Sequence, residues 1–311
     1  MAHYLVTGGG GFIGSNLVKA LIARGQHVRV LDNFATGRRQ NLAGLENQID
    51  LIEGDMRDPA TAERAVDGVD YVLHQAALGS VPRSVQDPLT SNEVNVNGTL
   101  NLLWAAKKSR VKRFVTASSS SIYGNTSQMP KDESMLPNPI SPYAVSKLAA
   151  ERYTLSFNAV YGLPTVALRY FNVFGPKQDP ASQYAAVIPR FITALMKGQS
   201  PVIYGDGEQS RDFTYIDNVV QANLLACSAP EAPGQVMNIA CGDRYSLNTL
   251  LRFLAEIMGK EVRPVYETER PGDVKHSLAS IARAEQILGF SPAINFRDGL
   301  KRTVAWFLQN S

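Results

Sequence analysis

The sequence predicts an α/β protein: a doubly wound parallel sheet with a second, smaller mixed α/β unit beside it. Three observations predict it. Short apolar runs alternate with stretches of helical spacing from residue 4 to about residue 170. A glycine-rich turn joins the first apolar run to the first helical stretch. Beyond residue 170 the alternation loosens into shorter runs, turns and loops.

The bulk numbers bound the rest. At 311 residues the chain holds one large domain or two of moderate size. Lys+Arg 31 against Asp+Glu 28 leaves +3, too small a surplus to argue for nucleic acid or an acidic membrane surface. Cys227 and Cys241 form no disulfide framework and are expected as reduced core thiols. The N-terminus enters an apolar run almost at once, without the order of a signal peptide, and no run of 18 apolar residues occurs. The expected location is cytoplasmic. His3, His27, His74 and His276 lack ligand spacing, so no metal site is expected.

Taken in order, Tyr4-Leu5-Val6 reads as a buried strand, followed by Thr7-Gly8-Gly9-Gly10-Gly11-Phe12-Ile13-Gly14. Leu17, Val18, Leu21 and Ile22 then recur at helical spacing. Gly8, Gly11 and Gly14 therefore stand where a strand becomes a helix. Absent side chains there let backbone approach a pyrophosphate, and the helix start offers N–H groups and the positive end of a dipole. His27 to Leu31 reads as the second strand, ending in Asp32, 18 residues beyond Gly14. A carboxylate at that offset accepts bonds from a ribose 2′-hydroxyl and repels a 2′-phosphate, which favours NAD over NADP. Arg38 and Arg39 are the counter-signal, since they could hold a phosphate.

Ile49 to Glu53 reads as a third strand, with Asp55 and Met56 placed near adenine. Tyr71 to His74 reads as a fourth, running into Gln75-Ala76-Ala77, whose small residues let a cofactor lie close. His74 is expected to be structural. Val94 to Lys108 reads as one long amphipathic helix, and Phe114-Val115-Thr116 as a fifth strand before the run Ser118 to Ser121. Ser141-Pro142 suits a helix start. Tyr143 and Lys147, four apart, share a helix face, and an ammonium beside a phenol is expected to lower the phenol's pKa toward a usable base. Pro164 to Arg169 gives a sixth strand. Further on, Tyr184 to Met196 reads as a helix, Pro201 to Tyr204 as a strand, Asp217 as the cap of a helix through Cys227, and Val236 to Ile239 as a strand. The expected division is residues 1–169 with about 211–239, against about 170–210 with 240–311.

Thr7–Gly14, Asp32, the serine run, Tyr143 with Lys147, Tyr170-Phe171-Asn172 and Ser210-Arg211-Asp212 stand in this order along nearly the whole chain. Together they resemble the extended short-chain dehydrogenase/reductase family. Within it the chain is similar to the nucleotide-sugar 4-epimerases, above all the UDP-N-acetylglucosamine 4-epimerase branch. Leu78 to Ser84, Tyr170 to Gly175 with Gln178, Ala185 to Pro189 and Gly272 to Ser277 carry that closer likeness.

The resemblance implies a Rossmann domain for the first unit and a nucleotide-sugar-binding domain for the second. It implies Tyr143 as base, Lys147 as the group that lowers its pKa and binds the nicotinamide ribose, and Ser119 as partner of the reacting hydroxyl. An NAD site is implied at Gly8, Gly11, Phe12, Ile13, Gly14, Asp32, Asn33, Asp55, Met56, Gln75, Ala76, Ala77, Asn95, Thr116 and Tyr170, with Tyr143 and Lys147. Asn172, Arg211 and Arg270 are expected to grip uridine diphosphate, with Val187, Tyr204 and Asp273 near them. Gly79, Ser80, Ser120, Ser121 and Gln178 are expected near the sugar. Ser277 falls at a gatekeeper position, where a small side chain leaves room for an N-acetyl group.

The implied reaction inverts carbon 4 of a UDP-sugar through a transient 4-keto sugar, with tightly held NAD and a homodimeric protein. Sugar 4,6-dehydratases need an acidic pair after the catalytic serine or threonine, and decarboxylating relatives an acid in that region; Ser120, Ser121 and Ile122 follow Ser119 here. Alternatives are a UDP-glucuronate 4-epimerase, using Arg83 or Arg190 on the carboxylate, and a reductase or synthase that releases its cofactor. A non-catalytic NAD-sensing regulator is more distant, because the chain keeps both Tyr143 and Lys147.

Overall fold

The structure is a computed structural model that describes residues 1–180, 186–269 and 275–310. Seven parallel strands form its main sheet. The first half runs β1 (His3–Thr7), α1 (Phe12–Ile22), β2 (His27–Asp32), β3 (Ile49–Glu53), α2 (Pro59–Val66) and β4 (Tyr71–His74). Two short helices follow, α3 (Val81–Gln86) and α4 (Pro88–Asn92), then α5 (Thr99–Lys108), β5 (Arg113–Ser119), α6 (Pro142–Tyr161) and β6 (Thr165–Tyr170). After these come β7 (Val173–Phe174), α7 (Val187–Met196), β8 (Val202–Tyr204), β9 (Ser210–Arg211), β10 (Thr214–Tyr215), α8 (Ile216–Ser228) and β11 (Gln235–Ile239). The chain ends through β12 (Tyr245–Ser246), α9 (Leu247–Met258), β13 (Val265–Glu267), α10 (Ala282–Leu288) and α11 (Phe296–Gln309).

The strand order is β11-β6-β5-β4-β1-β2-β3. The order reverses between β1 and β4, which are direct neighbours, and crossover helices cover both faces. That double coverage is why the central strands read as continuous apolar runs: Leu5 and Val6 on β1, Val72 and Leu73 on β4, and Phe114 and Val115 on β5 are all fully buried. One hydrophobic cluster continues from Val6, Leu17 and Val166 to Ile188 on α7, Leu250 on α9 and Leu300 on α11. The sheet and the smaller elements beyond it therefore share a core.

Local chemistry sets the element ends that matter here. Ser141 caps α6 by accepting from the Ala144 N–H at 3.2 Å, Pro142 takes the first turn, and Gly162 ends the helix in left-handed geometry. Three expectations need correction. The stretch from Val94 is not one α-helix: residues Glu93–Gly98 form a wider π-helical turn, and α5 begins at Thr99. Asp217 does not cap α8; Tyr215 is the capping residue, and Asp217 lies in the first turn, paired with Arg302 at 3.2 Å. The helix expected from Tyr184 begins at Val187, and Tyr184 lies outside the described residues.

Candidate active site

The C-terminal ends of β1, β2 and β4 converge on a cavity of about 170 Å³. Gly8, Gly11, Asp32, Asn33, Asp55, Met56, Gln75, Ala76 and Ala77 all line it, as the sequence reading expected. The turn into α1 can exist only with glycine at two positions. A Cβ on Gly14 would stand 2.1 Å from the Gly8 carbonyl oxygen. Gly8 itself has φ +67, and a Cβ there would lie 2.8 Å from the Ala76 backbone. No side chain caps α1, whose N-cap is Gly11, so the first-turn N–H groups of Phe12, Ile13 and Gly14 are left to an anion.

Asp32 ends β2 and is only 8% exposed, with backbone N–H groups of Gly10 and Phe34 each donating to it at 2.8 Å. Burial raises its pKa, and the two backbone bonds oppose that rise. Asp55 is held down to about 2, chiefly by Arg57, whose guanidinium lies 2.8 Å from its carboxylate; Asn33 adds a bond at 3.0 Å. Arg38 and Arg39 are both engaged by carboxylates, Arg38 with Asp179 at 2.5 Å and Arg39 with Glu53. The cradle of glycines, the open helix start and the carboxylate at the end of β2 fit a dinucleotide.

A second cavity of about 260 Å³ is lined by Asn172, Val187, Tyr204 and Arg211 from the expected set. Arg190, Gln209, Phe213 and Leu247 join them, and sequence reasoning did not assign those four to the nucleotide. The aromatic and aliphatic walls with two arginines suit a base and a diphosphate. Asn172 adopts φ +31 and donates from its side chain to the Asp212 carbonyl at 2.9 Å, which fixes the loop at the end of β6.

Tyr143, Lys147 and Ser119 line neither cavity. They meet where β5 ends against the first turns of α6. The Ser119 hydroxyl stands close enough to the Tyr143 phenol to act on its pKa, and Ser121 Oγ donates to Ser119 Oγ at 2.9 Å. The Tyr143 N–H donates to Ser84 Oγ at 2.9 Å, anchoring α6 to α3. The expected fall in the Tyr143 pKa is not what the structure gives. Burial raises it, and the Ser119 hydroxyl opposes the rise. Lys147 is buried as well, and burial pushes it down to about 8. The proximity argument left out that desolvation disfavours both charged forms.

Other expected residues take defined places. Asn95 is 1% exposed and ties Leu78 to α6, accepting from the Leu78 N–H at 2.7 Å and donating to Ser146 Oγ at 2.9 Å. The Tyr170 hydroxyl lies 3.2 Å from Gln75 Oε1 and 3.1 Å from Asn223 Oδ1. Thr116 is buried, with its hydroxyl 3.0 Å from that of Thr154, so its side chain faces α6. Gly79 is exposed, and Ser80 caps α3. Ser120 and Ser121 form the short helical turn after β5. Ser277 is buried, its N–H donating to the Ser210 carbonyl at 3.0 Å. Gln178 is not gathered with the second cavity; it lines an outer one with Lys177 and Trp306, because its side chain turns back to the Val173 carbonyl at 3.3 Å. Arg270 and Asp273 lie outside the described residues.

His74 is structural, as expected: its ring nitrogens lie 2.7 Å from Thr7 Oγ1 and 2.9 Å from Thr99 Oγ1. Among the described residues no group of three or more acidic, histidine or cysteine side chains could hold a metal, and no helix is long and apolar enough to cross a membrane.

Comparison with known proteins agrees with this geometry. Residues 4–240 match the NAD dependent epimerase/dehydratase family. The UDP-N-acetylglucosamine 4-epimerase from Methanobrevibacter ruminantium M1, solved with UDP-N-acetylmuramic acid, is 43% identical with a TM-score of 0.95, covering 100% of this chain and 99% of that one. The UDP-glucose 4-epimerase of Mycolicibacterium smegmatis is 37% identical over 311 residues, 99% of each chain. The UDP-glucuronic acid 4-epimerase from Bacillus cereus, solved with UDP-glucuronic acid and NAD, is 31% identical with a TM-score of 0.91, covering 99% of this chain and 100% of that one. With the glycine turn built for a dinucleotide and a tyrosine, lysine and serine gathered beside it, the chain belongs to the NAD dependent epimerase/dehydratase family and is an NAD-dependent enzyme.

Proposed function

We propose that this enzyme is a UDP-sugar 4-epimerase whose preferred substrates are UDP-N-acetylglucosamine and UDP-N-acetylgalactosamine, with UDP-glucose and UDP-galactose also accepted. The observation that carries the reading is the juxtaposition of Ser119 at the end of β5 with Tyr143 at the start of α6, together with a dinucleotide cradle and a separate arginine-bearing cavity. Tyr143 accepts the proton of the sugar's 4-hydroxyl, and Ser119 holds that hydroxyl. Lys147 supplies positive charge one helical turn away, favouring the phenolate. Bound NAD supplies the hydride acceptor and donor, so no net redox change results. Asn172 and Arg211 grip the nucleotide while the sugar turns about its diphosphate and presents its other face to the same tyrosine. Ser120, Ser121 and Ile122 offer no carboxylate for elimination, which argues against dehydration.

The N-acetyl preference rests on Ser277, a small buried side chain beside Ser210 at the gatekeeper position. A UDP-glucuronate 4-epimerase is the second reading, favoured by Arg190: it lines the nucleotide cavity with its guanidinium 5.6 Å from the Tyr204 ring centre. The protein is expected to be a homodimer. Val145, Tyr153 and Val160 on α6 are 52%, 40% and 70% exposed and recur at helical spacing, and Trp104 of α5, whose ring meets Tyr161 of α6, is 42% exposed.

The test is incubation of purified protein with UDP-N-acetylglucosamine, UDP-glucose and UDP-glucuronate in turn, without added cofactor, with products resolved by proton NMR. Galacto-configured product at the highest kcat/KM from UDP-N-acetylglucosamine is expected. Turnover confined to UDP-glucuronate selects the second reading. Conversion only when NADH is added and consumed points to a reductase.

A further inference from the structure

Behind the reacting pair lies a buried ionic network with no assigned task. Glu151 on α6 has no side-chain exposure and Arg169 on β6 has 3%. Arg169 grips the carboxylate twice, at 2.7 Å on Oε1 and 2.9 Å on Oε2. Ser118 Oγ, on β5, donates to the same Oε2 at 2.7 Å. The remaining guanidinium nitrogen donates to the Tyr123 hydroxyl at 2.7 Å, which donates in turn to Asn238 Oδ1 on β11, also at 2.7 Å. A single carboxylate thus joins β5, α6 and β6, and through Tyr123 reaches β11.

Stability alone is a poor reason for such a pair. Removing two charges from water costs about what their attraction returns, and apolar replacements of similar volume serve as well. Its position suggests more. Tyr143, Lys147 and Glu151 stand at successive turns of one helix, four residues apart, and share a face. Ser118 and Ser119 are consecutive on β5, and Ser119 is the last residue of the strand. Anchoring Ser118 to Glu151 therefore fixes the direction in which Ser119 reaches Tyr143.

We propose that Glu151 is a positioning residue: clamped by Arg169 and Ser118, its carboxylate holds Ser119 in register with Tyr143 and is the counter-charge of the Lys147 ammonium. The charged and titratable groups around it can be named. Lys147 is faced by Glu151 from α6 and by His74 from β4, with Tyr143 one turn before it on the same helix. Burial holds His74 down to about 3, so it is neutral and adds no charge. Arg169 from β6 and Tyr123 from the turn after β5 face Glu151. Burial pulls Lys147 down to about 8, and Glu151 is the group that opposes this. Without the carboxylate the ammonium gives up its proton at lower pH, and the Tyr143 phenolate loses its support.

The experiment compares wild type, Glu151→Gln and Ser118→Ala, all with NAD bound. It reads kcat and KM for UDP-N-acetylglucosamine against pH. It also reads the titration of Tyr143 from tyrosinate absorbance, taken as a difference against Tyr143→Phe. For Glu151→Gln the alkaline limb of kcat is expected about one pH unit lower, and the Tyr143 titration higher, with KM within about twofold. Ser118→Ala keeps the charge and is expected to lower kcat without moving either limb. Wild-type limbs and a wild-type tyrosine titration in Glu151→Gln would overturn the inference. If Glu151→Gln does not fold, Glu151→Asp decides. Retained limbs with reduced kcat support the proposal, and wild-type kcat at every pH refutes it. The activity arm rests on the proposed function, but the tyrosine titration does not. A wild type inert on UDP-sugars would overturn the epimerase reading, while the titration would still judge Glu151.

Discussion

Gly14→Ala adds one methyl group at the point where the dinucleotide turn enters α1. The new Cβ would lie 2.1 Å from the Gly8 carbonyl oxygen, 2.7 Å from its carbon and 2.8 Å from the Gly9 Cα. All three are backbone atoms, so no side-chain rotation relieves the clash; either the turn or the helix must move. Overpacking of this kind costs about 1–3 kcal/mol, and a backbone wall places it at the upper end. Alanine recovers up to about 1 kcal/mol of helix propensity, because Gly14 is inside α1. The net loss is about 2 kcal/mol, or roughly 3 °C in Tm for a chain of 311 residues. Moving the turn also withdraws the first-turn N–H groups from the pyrophosphate, so NAD affinity is expected to fall at least tenfold, about 1.4 kcal/mol. The control is Gly25→Ala, where φ is +67 but nothing lies within 4 Å of the added Cβ. It is expected to cost about 1 kcal/mol of backbone strain and leave NAD binding unchanged. The assay is thermal unfolding with and without NAD, alongside calorimetric titration of the cofactor. A Gly14→Ala protein with wild-type Tm and wild-type NAD affinity would refute the claim that this turn is closed to side chains.

Three further outcomes follow from the site. Tyr143→Phe is expected to lower kcat by about two to four orders of magnitude while NAD and UDP still bind, read by steady-state kinetics and calorimetry. Asp32→Ala removes the acceptor of two backbone N–H bonds at 2.8 Å and the charge that repels a 2′-phosphate, so NAD should bind more weakly and NADP relatively better in competition titrations. His74, held down to about 3 by burial, binds its proton in the unfolded chain first. Its contribution to stability is full above about pH 6.5 and is lost as pH falls toward 3, at up to about 1.4 kcal/mol per unit. Urea unfolding between pH 7 and 5 should show a shallower loss in His74→Gln than in wild type; parallel curves would refute it.

The sheet was legible because its residues say one thing at every level. β2 and β3 have the bounds that their apolar runs and the turn residues around them imply, and the glycines stand at the strand-to-helix junction the spacing required. Ser141, Pro142 and Gly162 carry the start and end of α6 in their side chains or lack of one. The smaller elements were harder to read. β9, β10 and β12 are two residues long, too short to show a period, and α9 to α11 bury faces against a core shared with the sheet. Arg190 and Gln209 could not be assigned to the nucleotide cavity because the wall they form comes from α7 and the β8–β9 connection, which only the fold brings together.

The instructive miss is the tyrosine. Sequence spacing set Lys147 beside Tyr143, and from that pair alone a lowered phenol pKa follows. Folding adds a second cause of opposite sign, because the helix face that carries both groups is pressed against β5 and buried. Desolvation then penalises the phenolate and the ammonium together, so neither can be charged by the other without help. That help has to come from groups whose charge the fold secures by other means. Glu151 is such a group, since Arg169 grips both of its carboxylate oxygens in the interior. A motif of two residues thus states which atoms react, while a third residue on the same helix and a fourth on a neighbouring strand shape the charge around them. Spacing finds the third, one more turn along α6; only the strand pairing of β5 with β6 brings up the fourth.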